Sequence, residues 1–404
     1  MTGPKLRIAY LSGPTNAFEI LAALRSGAEP NYFGTNYMRE FLIFADEIEA
    51  EALIATWYDG PQSVRRRERY TFLNLSPAQA TGLGYHLQLF RQQLIFLWHF
   101  LKFRPDVLLL TGNQEFWWVM WPLKLRGTRF VASFHGVIWP KFRRPKLHQR
   151  LLLQLNKWLA LRKLDAAVLT SEDIRLQLQE ATGQSYPRIR VLPHLPSYDD
   201  RQFDGIVPAD SLARSPFRVM FMGRIEENKG VFDLVEMADR LEKHSPGAYR
   251  FEVCGSGSAS GRLEAEIEAR GLGRVVACNG YCDPPRIREI MGRSHAVVVP
   301  TRKDFDAGFE MTCSEAILSG RPLITSAVCP ALHYLKGASI EVEPENVSQY
   351  CQAIRRLSED DALYRAKCQQ CGPLRLQFLD SSKSWLTAMR RAFEEIRPAE
   401  PGRL

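Results

Sequence analysis

The sequence predicts two doubly wound α/β domains facing each other across a cleft, and three observations predict it. The chain has 404 residues, about twice the usual domain size. Short apolar runs alternate with helical patterns through both halves, and one turn-rich stretch between residues 194 and 216 interrupts the rhythm. Hydrophobic residues make up 45% and charged residues 24%, which supplies two cores and excludes disordered, collagenous and membrane-bundle classes.

Residues 6–11, 53–57, 107–111, 130–134 and 166–170 are apolar without polar alternation, as expected of strands buried on both faces. Helices are expected between them. Leu87, Phe90, Leu94, Leu97, Trp98 and Leu101 recur at helical spacing, as do Leu147, Leu151, Leu155, Trp158 and Leu159. After the interruption, which carries His194-Leu195-Pro196, Pro208 and Pro216, strands are expected at 217–222, 251–254, 296–300 and 322–325. The domains are therefore placed at 1–205 and 206–381. A helix around 384–396 fits either domain by periodicity, and 382–404 is assigned to completing the first.

The opening run before Gly13-Pro14 reads as a first strand and not as a signal peptide. The most apolar stretch, 94–101, is too short to span a bilayer, so a cytoplasmic protein is expected. All eight cysteines follow residue 250, and Cys368 and Cys371 form a CxxC with no second pair, which predicts reduced thiols and no metal site.

The net charge of +8 is unevenly distributed. Residues 60–163 hold 18 Lys and Arg against 3 Asp and Glu, among them Arg65-Arg66-Arg67, Arg143-Arg144 and Lys146. Such a field attracts an anionic membrane surface or a polyanion. The run Phe116-Trp117-Trp118-Val119-Met120-Trp121 adds aromatics suited to a membrane interface, if it is not core. Spacing of an RNA-recognition kind is missing, so no nucleic acid is expected. Nor does Gly13-Pro14-Thr15-Asn16-Ala17 match a dinucleotide fingerprint.

Ligands of doubly wound sheets bind beyond the carboxyl ends of the strands, so the loops there carry the candidates. Gly223-Arg224 … Lys229-Gly230 precedes a helix near Val231, and two cations at a tight turn suit a diphosphate. Gly255-Ser256-Gly257 would permit close approach of a nucleotide, and Asn279-Gly280-Tyr281 precedes another helix. The segment from Asp306 to Thr325 is one turn–helix–strand unit, in which Glu315 could accept hydrogen bonds from a ribose diol.

In this order the motifs resemble the retaining GT-B glycosyltransferases of family 4. The matching residues are Gly223-Arg224 … Lys229-Gly230, Gly255-Ser256-Gly257, Gly280-Tyr281, Gly308-Phe309 … Ser314-Glu315-Ala316 … Gly320-Arg321-Pro322, Phe33-Gly34-Thr35 and Phe134-His135-Gly136. The resemblance implies a GT-B fold and transfer of a sugar, with retention, from a nucleoside-diphosphate donor to a glycan or polyprenyl-linked acceptor. By the same resemblance Arg224 and Lys229 grip the diphosphate, Glu315 holds the ribose, and Gly308, Phe309 and Glu310 meet sugar and phosphate through their amides. Tyr281 lies near the base, Gly223 and Gly257 border the donor, Gly34 faces the phosphate from the opposite domain, and His135 stands at the reaction centre. It also implies no protein nucleophile, no cofactor and no obligatory metal.

One position departs from the family pattern. Ala307 stands eight residues before Glu315, where the pattern has a first glutamate. Asp306 or Glu310 then supplies the missing contact, or the donor differs, or the chain is an inactive scaffold of the same fold. Activity is the expectation, with peripheral attachment to the cytoplasmic membrane face.

Overall fold

The computed structural model describes residues 5–28, 34–112 and 114–396. The first sheet contains β1 (Arg7–Leu11), β2 (Glu51–Thr56), β3 (Ser63–Arg67), β4 (Tyr70–Asn74), β5 (Val107–Leu110), β6 (Arg129–Phe134), β7 (Ala166–Leu169) and β8 (Arg190–Pro193). Their order is β3-β4-β2-β1-β5-β6-β7-β8, and every neighbouring pair is parallel except β3 with β4. The second sheet contains β9 (Phe217–Met222), β10 (Tyr249–Cys254), β11 (Val276–Cys278), β12 (Ala296–Val299), β13 (Leu323–Ser326) and β14 (Ser339–Val342). It is wholly parallel in the order β11-β10-β9-β12-β13-β14.

Alternate residues of a strand feed opposite faces, so each sheet needs a core on both sides. In β1, Ile8 and Tyr10 enter one cluster while Ala9 and Leu11 enter the other. In β9, Phe217, Val219 and Phe221 point to one core and Met220 to its opposite. The terminal helix Trp385–Ile396 packs on the first sheet: Trp385, Met389, Phe393 and Ile396 share a cluster with Ile8, Tyr10 and Phe41. Periodicity left that partner open.

The expected strands are all present, and β3, β4, β8, β11 and β14 are additional. Strand β3 carries Arg65-Arg66-Arg67 at the sheet edge, where charge protects unpaired backbone from further strand addition. Of the two readings of the aromatic run at 116–121, core or membrane interface, the structure gives core for four of its six residues and leaves Trp118 and Trp121 half-buried. Phe116, Trp117, Val119 and Met120 are buried beneath helices Gly82–Phe103 and Leu147–Leu159, and the Trp117 indole donates to the Gly112 carbonyl at 2.7 Å. The eight cysteines are free thiols, and no group of His, Cys, Asp and Glu among the described residues could hold a metal ion.

Candidate active site

The carboxyl ends of β6, β9 and β12 meet at a cleft of about 420 Å³ between the two sheets. His135, one residue past β6, lines it from the first half. Gly223, Arg224 and Lys229 from the loop after β9 line it from the second, with Asp306, Gly308, Phe309 and Glu310 from the loop after β12. Gly308 shows why the halves can close here. A Cβ at this position would collide with the His135 carbonyl, so only glycine lets the two loops touch.

Lys229 is nearly buried, and its ammonium lies 2.9 and 3.1 Å from the two carboxylate oxygens of Glu310. It also sits 3.5 Å above the centre of the Phe305 ring. Arg224 is freer: it is more than half exposed, pairs with Glu226 at 2.7 Å and can swing into the cleft. Thr312, in the first turn of helix Met311–Leu318, bonds through its hydroxyl to the Met222 carbonyl at 2.9 Å. This ties the helix start to the end of β9. The leading N–H groups of a helix have no intrahelical partner, so this terminus and the two cations suit the same anion.

His135 stacks on Tyr37 at 3.9 Å between ring centres, and its Nε2 is 3.2 Å from the Ser133 hydroxyl. That hydroxyl also accepts from the Trp385 indole at 2.7 Å, so the terminal helix helps to orient the ring. Burial lowers the imidazole pKa to about 4, which keeps it neutral near pH 7, and its Nδ1 has no partner. His194 lies behind, near the same Tyr37, pushed down to about 3 chiefly by burial and further by the neighbouring His135.

A second hollow of about 350 Å³ adjoins through Met222, Gly223 and Arg224, and is lined by Cys254, Gly255, Ser256, Tyr281 and Ile287. Tyr281 is exposed at its rim. Three predicted site residues lie outside both linings. Gly257 faces the backbone of Ile225, which leaves no room for a side chain, so this glycine serves loop packing. Gly34 lies against the Tyr198 ring and Met311, while its predicted neighbour Phe33 falls outside the described residues. Glu315 is buried one helical turn beyond Met311, where the Tyr198 hydroxyl donates to it at 3.4 Å and contacts Ser314 Oγ at 2.8 Å. Burial raises the Glu315 carboxyl to about 7.

Ala307 is buried and does not line the cleft, whereas Asp306 and Glu310 on either side of it do. Asp306 pairs with Arg143 of the first half at 3.1 Å. Phe305, Tyr198, Tyr37 and His194 were not expected at the site. Tyr198 and His194 fall in the stretch read as a connection, and nothing local distinguishes Phe305 or Tyr37 from core aromatics.

Two family models match the chain: glycosyltransferase family 4 over residues 52–195 and glycosyl transferases group 1 over residues 208–373. The chain is a GT-B glycosyltransferase of the family 4 type. It is 23% identical to a glycogen synthase of Mycobacterium tuberculosis over 189 residues, 46% of this chain and 44% of that one. The match thus spans under half the length of that curated relative. Sucrose-phosphate synthase of Thermosynechococcus elongatus superposes with a TM-score of 0.71 at 17% identity, covering 97% of this chain and 99% of that chain. HepE of Anabaena, in complex with UDP, gives 0.65 at 16% identity over 97% and 99%. These likenesses show the fold.

Proposed function

We propose that the protein transfers a sugar from a nucleoside-diphosphate donor to a lipid-linked or saccharide acceptor, with retention, in polysaccharide or glycolipid synthesis. The observation that carries the proposal is the convergence of Arg224, Lys229 and the Met311 helix start on one cleft faced by His135. The UDP found in the HepE complex and the adjoining hollow at Tyr281 support a nucleotide donor.

The departing diphosphate builds charge in the transition state, and cations fixed beside it lower the barrier more than they tighten ground-state binding. Two side-chain cations take the neutralising role, so a divalent ion is not required in this proposal. Diphosphate arriving at Lys229 replaces the Glu310 carboxylate, which is then free to accept from a donor-sugar hydroxyl. This exchange compensates for Ala307. Of the two carboxylates lining the cleft, Asp306 is paired with Arg143 and Glu310 is taken up by the donor-sugar hydroxyl, so the proposal assigns neither as a nucleophile: the acceptor hydroxyl attacks on the leaving-group face and its proton passes to an oxygen of the departing diphosphate.

An apolar slot of about 290 Å³, walled by Trp117, Phe134, Trp139, Leu152 and Leu153, meets the cleft at Asp306 and supports an acceptor with a hydrocarbon segment. A thermal-shift screen of nucleoside-diphosphate sugars on wild type and Lys229→Ala tests the proposal. One donor should raise the melting temperature of wild type alone, and its turnover should fall about 10²–10³-fold in the variant. If no nucleotide sugar shifts wild type, the chain is a scaffold.

A further inference from the structure

We infer that the outer faces of helices Gly82–Phe103 and Leu147–Leu159 form a docking surface for an anionic lipid bilayer. Single exposed apolar residues are ordinary, but these are concentrated. Of the fourteen large apolar side chains most exposed among the described residues, eight lie on these two helices. Leu147 is 83% exposed, Leu83 77% and Trp158 60%.

Spacing places them on outward stripes. Leu83, Leu87, Arg91, Leu94, Trp98 and Lys102 recur at three- and four-residue steps on the first helix, and Leu147, Leu151 and Trp158 share one side of the second at steps of four and seven. The opposite faces are already occupied, since Leu89, Phe90, Leu97 and Leu152 pack around Phe116 and Val119. The helices are neighbours, with the rings of His86 and His148 5.1 Å apart. Their stripes therefore extend one surface.

The chemistry selects the occupant. Neither helix contains an Asp or Glu, and both carry or adjoin Arg91, Lys102, Lys146, Arg150, Lys157 and Arg162. Lys102 Nζ lies 3.6 Å over the Trp98 ring and Arg162 Cζ 4.0 Å over Trp158. Indoles capped by cations suit the headgroup layer, where the ring sits at the apolar boundary and the charge meets phosphate. An anionic leaflet attracts each nearby cation, whereas a second copy of the same basic surface would be repelled. No helix among the described residues is long and apolar enough to cross a membrane, so the contact is interfacial. The surface rests on these helices and not on sugar transfer. The face of helix Leu147–Leu159 turned inward lines the apolar slot, which brings the bilayer beside the proposed acceptor site.

The test is co-sedimentation of the full chain with vesicles of phosphatidylcholine alone and with added phosphatidylglycerol, at low and high salt. Wild type should bind the anionic vesicles at least tenfold more tightly and lose that advantage in high salt. Leu87→Glu/Leu151→Glu, checked for an unchanged melting temperature, should lose at least tenfold in affinity, and Leu376→Glu at a distant exposed site should not. Equal binding to both vesicle types, or full binding by the double variant, overturns the inference. So does a wild-type dimer by light scattering that the double variant dissolves, which would make this face a self-association surface. Donor binding in the thermal-shift screen is read separately, so either conclusion can fail alone.

Discussion

At the residue scale, the site is poised by charges that already have partners. Lys229 can remain nearly buried because Glu310 neutralises it, and removing one member of such a pair leaves an uncompensated charge. Buried titratable groups also set a pH signature. Glu315 is raised from 4.5 to about 7 by burial, so the folded chain binds its proton more tightly than the unfolded one. Its contribution to stability is complete below pH 4.5 and is lost as the pH rises through about 7. Glu40, also raised from 4.5 to about 7 by burial, acts in the same direction. His135 and His194, lowered from 6.5 to about 4 and about 3, act in the opposite one: their stabilisation is lost as the pH falls below 6.5. Between pH 4.5 and 6.5 the two pairs oppose each other, so melting temperature followed against pH should be nearly flat there, falling at lower pH and again as the pH rises from 6.5 through about 7. Glu315→Gln should flatten the alkaline side, and an unchanged slope would assign that decline elsewhere.

Elements translate these residues into a cleft through loop backbone. The turn after β12 approaches the turn after β6 so closely that a methyl group at 308 must displace His135 or open the cleft. Gly308→Ala should therefore lower the melting temperature, since the clash is with backbone, and lose more than about tenfold in kcat/KM, because reacting groups tolerate little misplacement. Wild-type kinetics in that variant would mean that the halves do not need this contact. The loop after β10 uses its glycine differently, giving Gly257 to the backbone of Ile225 and leaving Ser256 and Gly255 at the hollow. Similar glycine signatures thus have separate uses, and sequence spacing alone does not separate them.

For the whole molecule, the helix Trp385–Ile396 returns the chain from the second half to the first sheet. Trp385 is fully buried, packs against the β1 side of the core and reaches Ser133, the hydroxyl beside His135. Trp385→Ala should cost about 3–5 kcal/mol in denaturant unfolding, as large core truncations do. Trp385→Phe, which keeps most of the packing but removes the indole donor, should lose only about 1 kcal/mol. If both variants unfold like wild type, the helix is not part of the first core. The Arg143–Asp306 pair across the cleft is half exposed and contributes little by comparison.

Much of the fold was legible because its evidence is local. Strands buried on both faces appear as unbroken apolar runs, and helices recur at three and four residues, whichever partner covers them. Strand β3 was missed because an arginine-rich edge strand lacks such a run, and β11, with three residues, is too short to show a period. The cationic loop after β9 was legible too, since glycine beside Arg224 and Lys229 is chemistry written contiguously.

Tertiary structure decided what periodicity cannot: which neighbour each face receives. It placed His135 opposite Lys229, gave Glu310 rather than position 307 the carboxylate in the cleft, and buried Glu315 against Tyr198. It also covered Phe116 and Trp117 while leaving Leu147 and Trp158 in solvent. Local sequence sets the conformation of a segment and the direction of its apolar face. Burial, charge pairing and displaced pKa values arise only when remote segments exclude water together, and that exclusion depends on the packed whole.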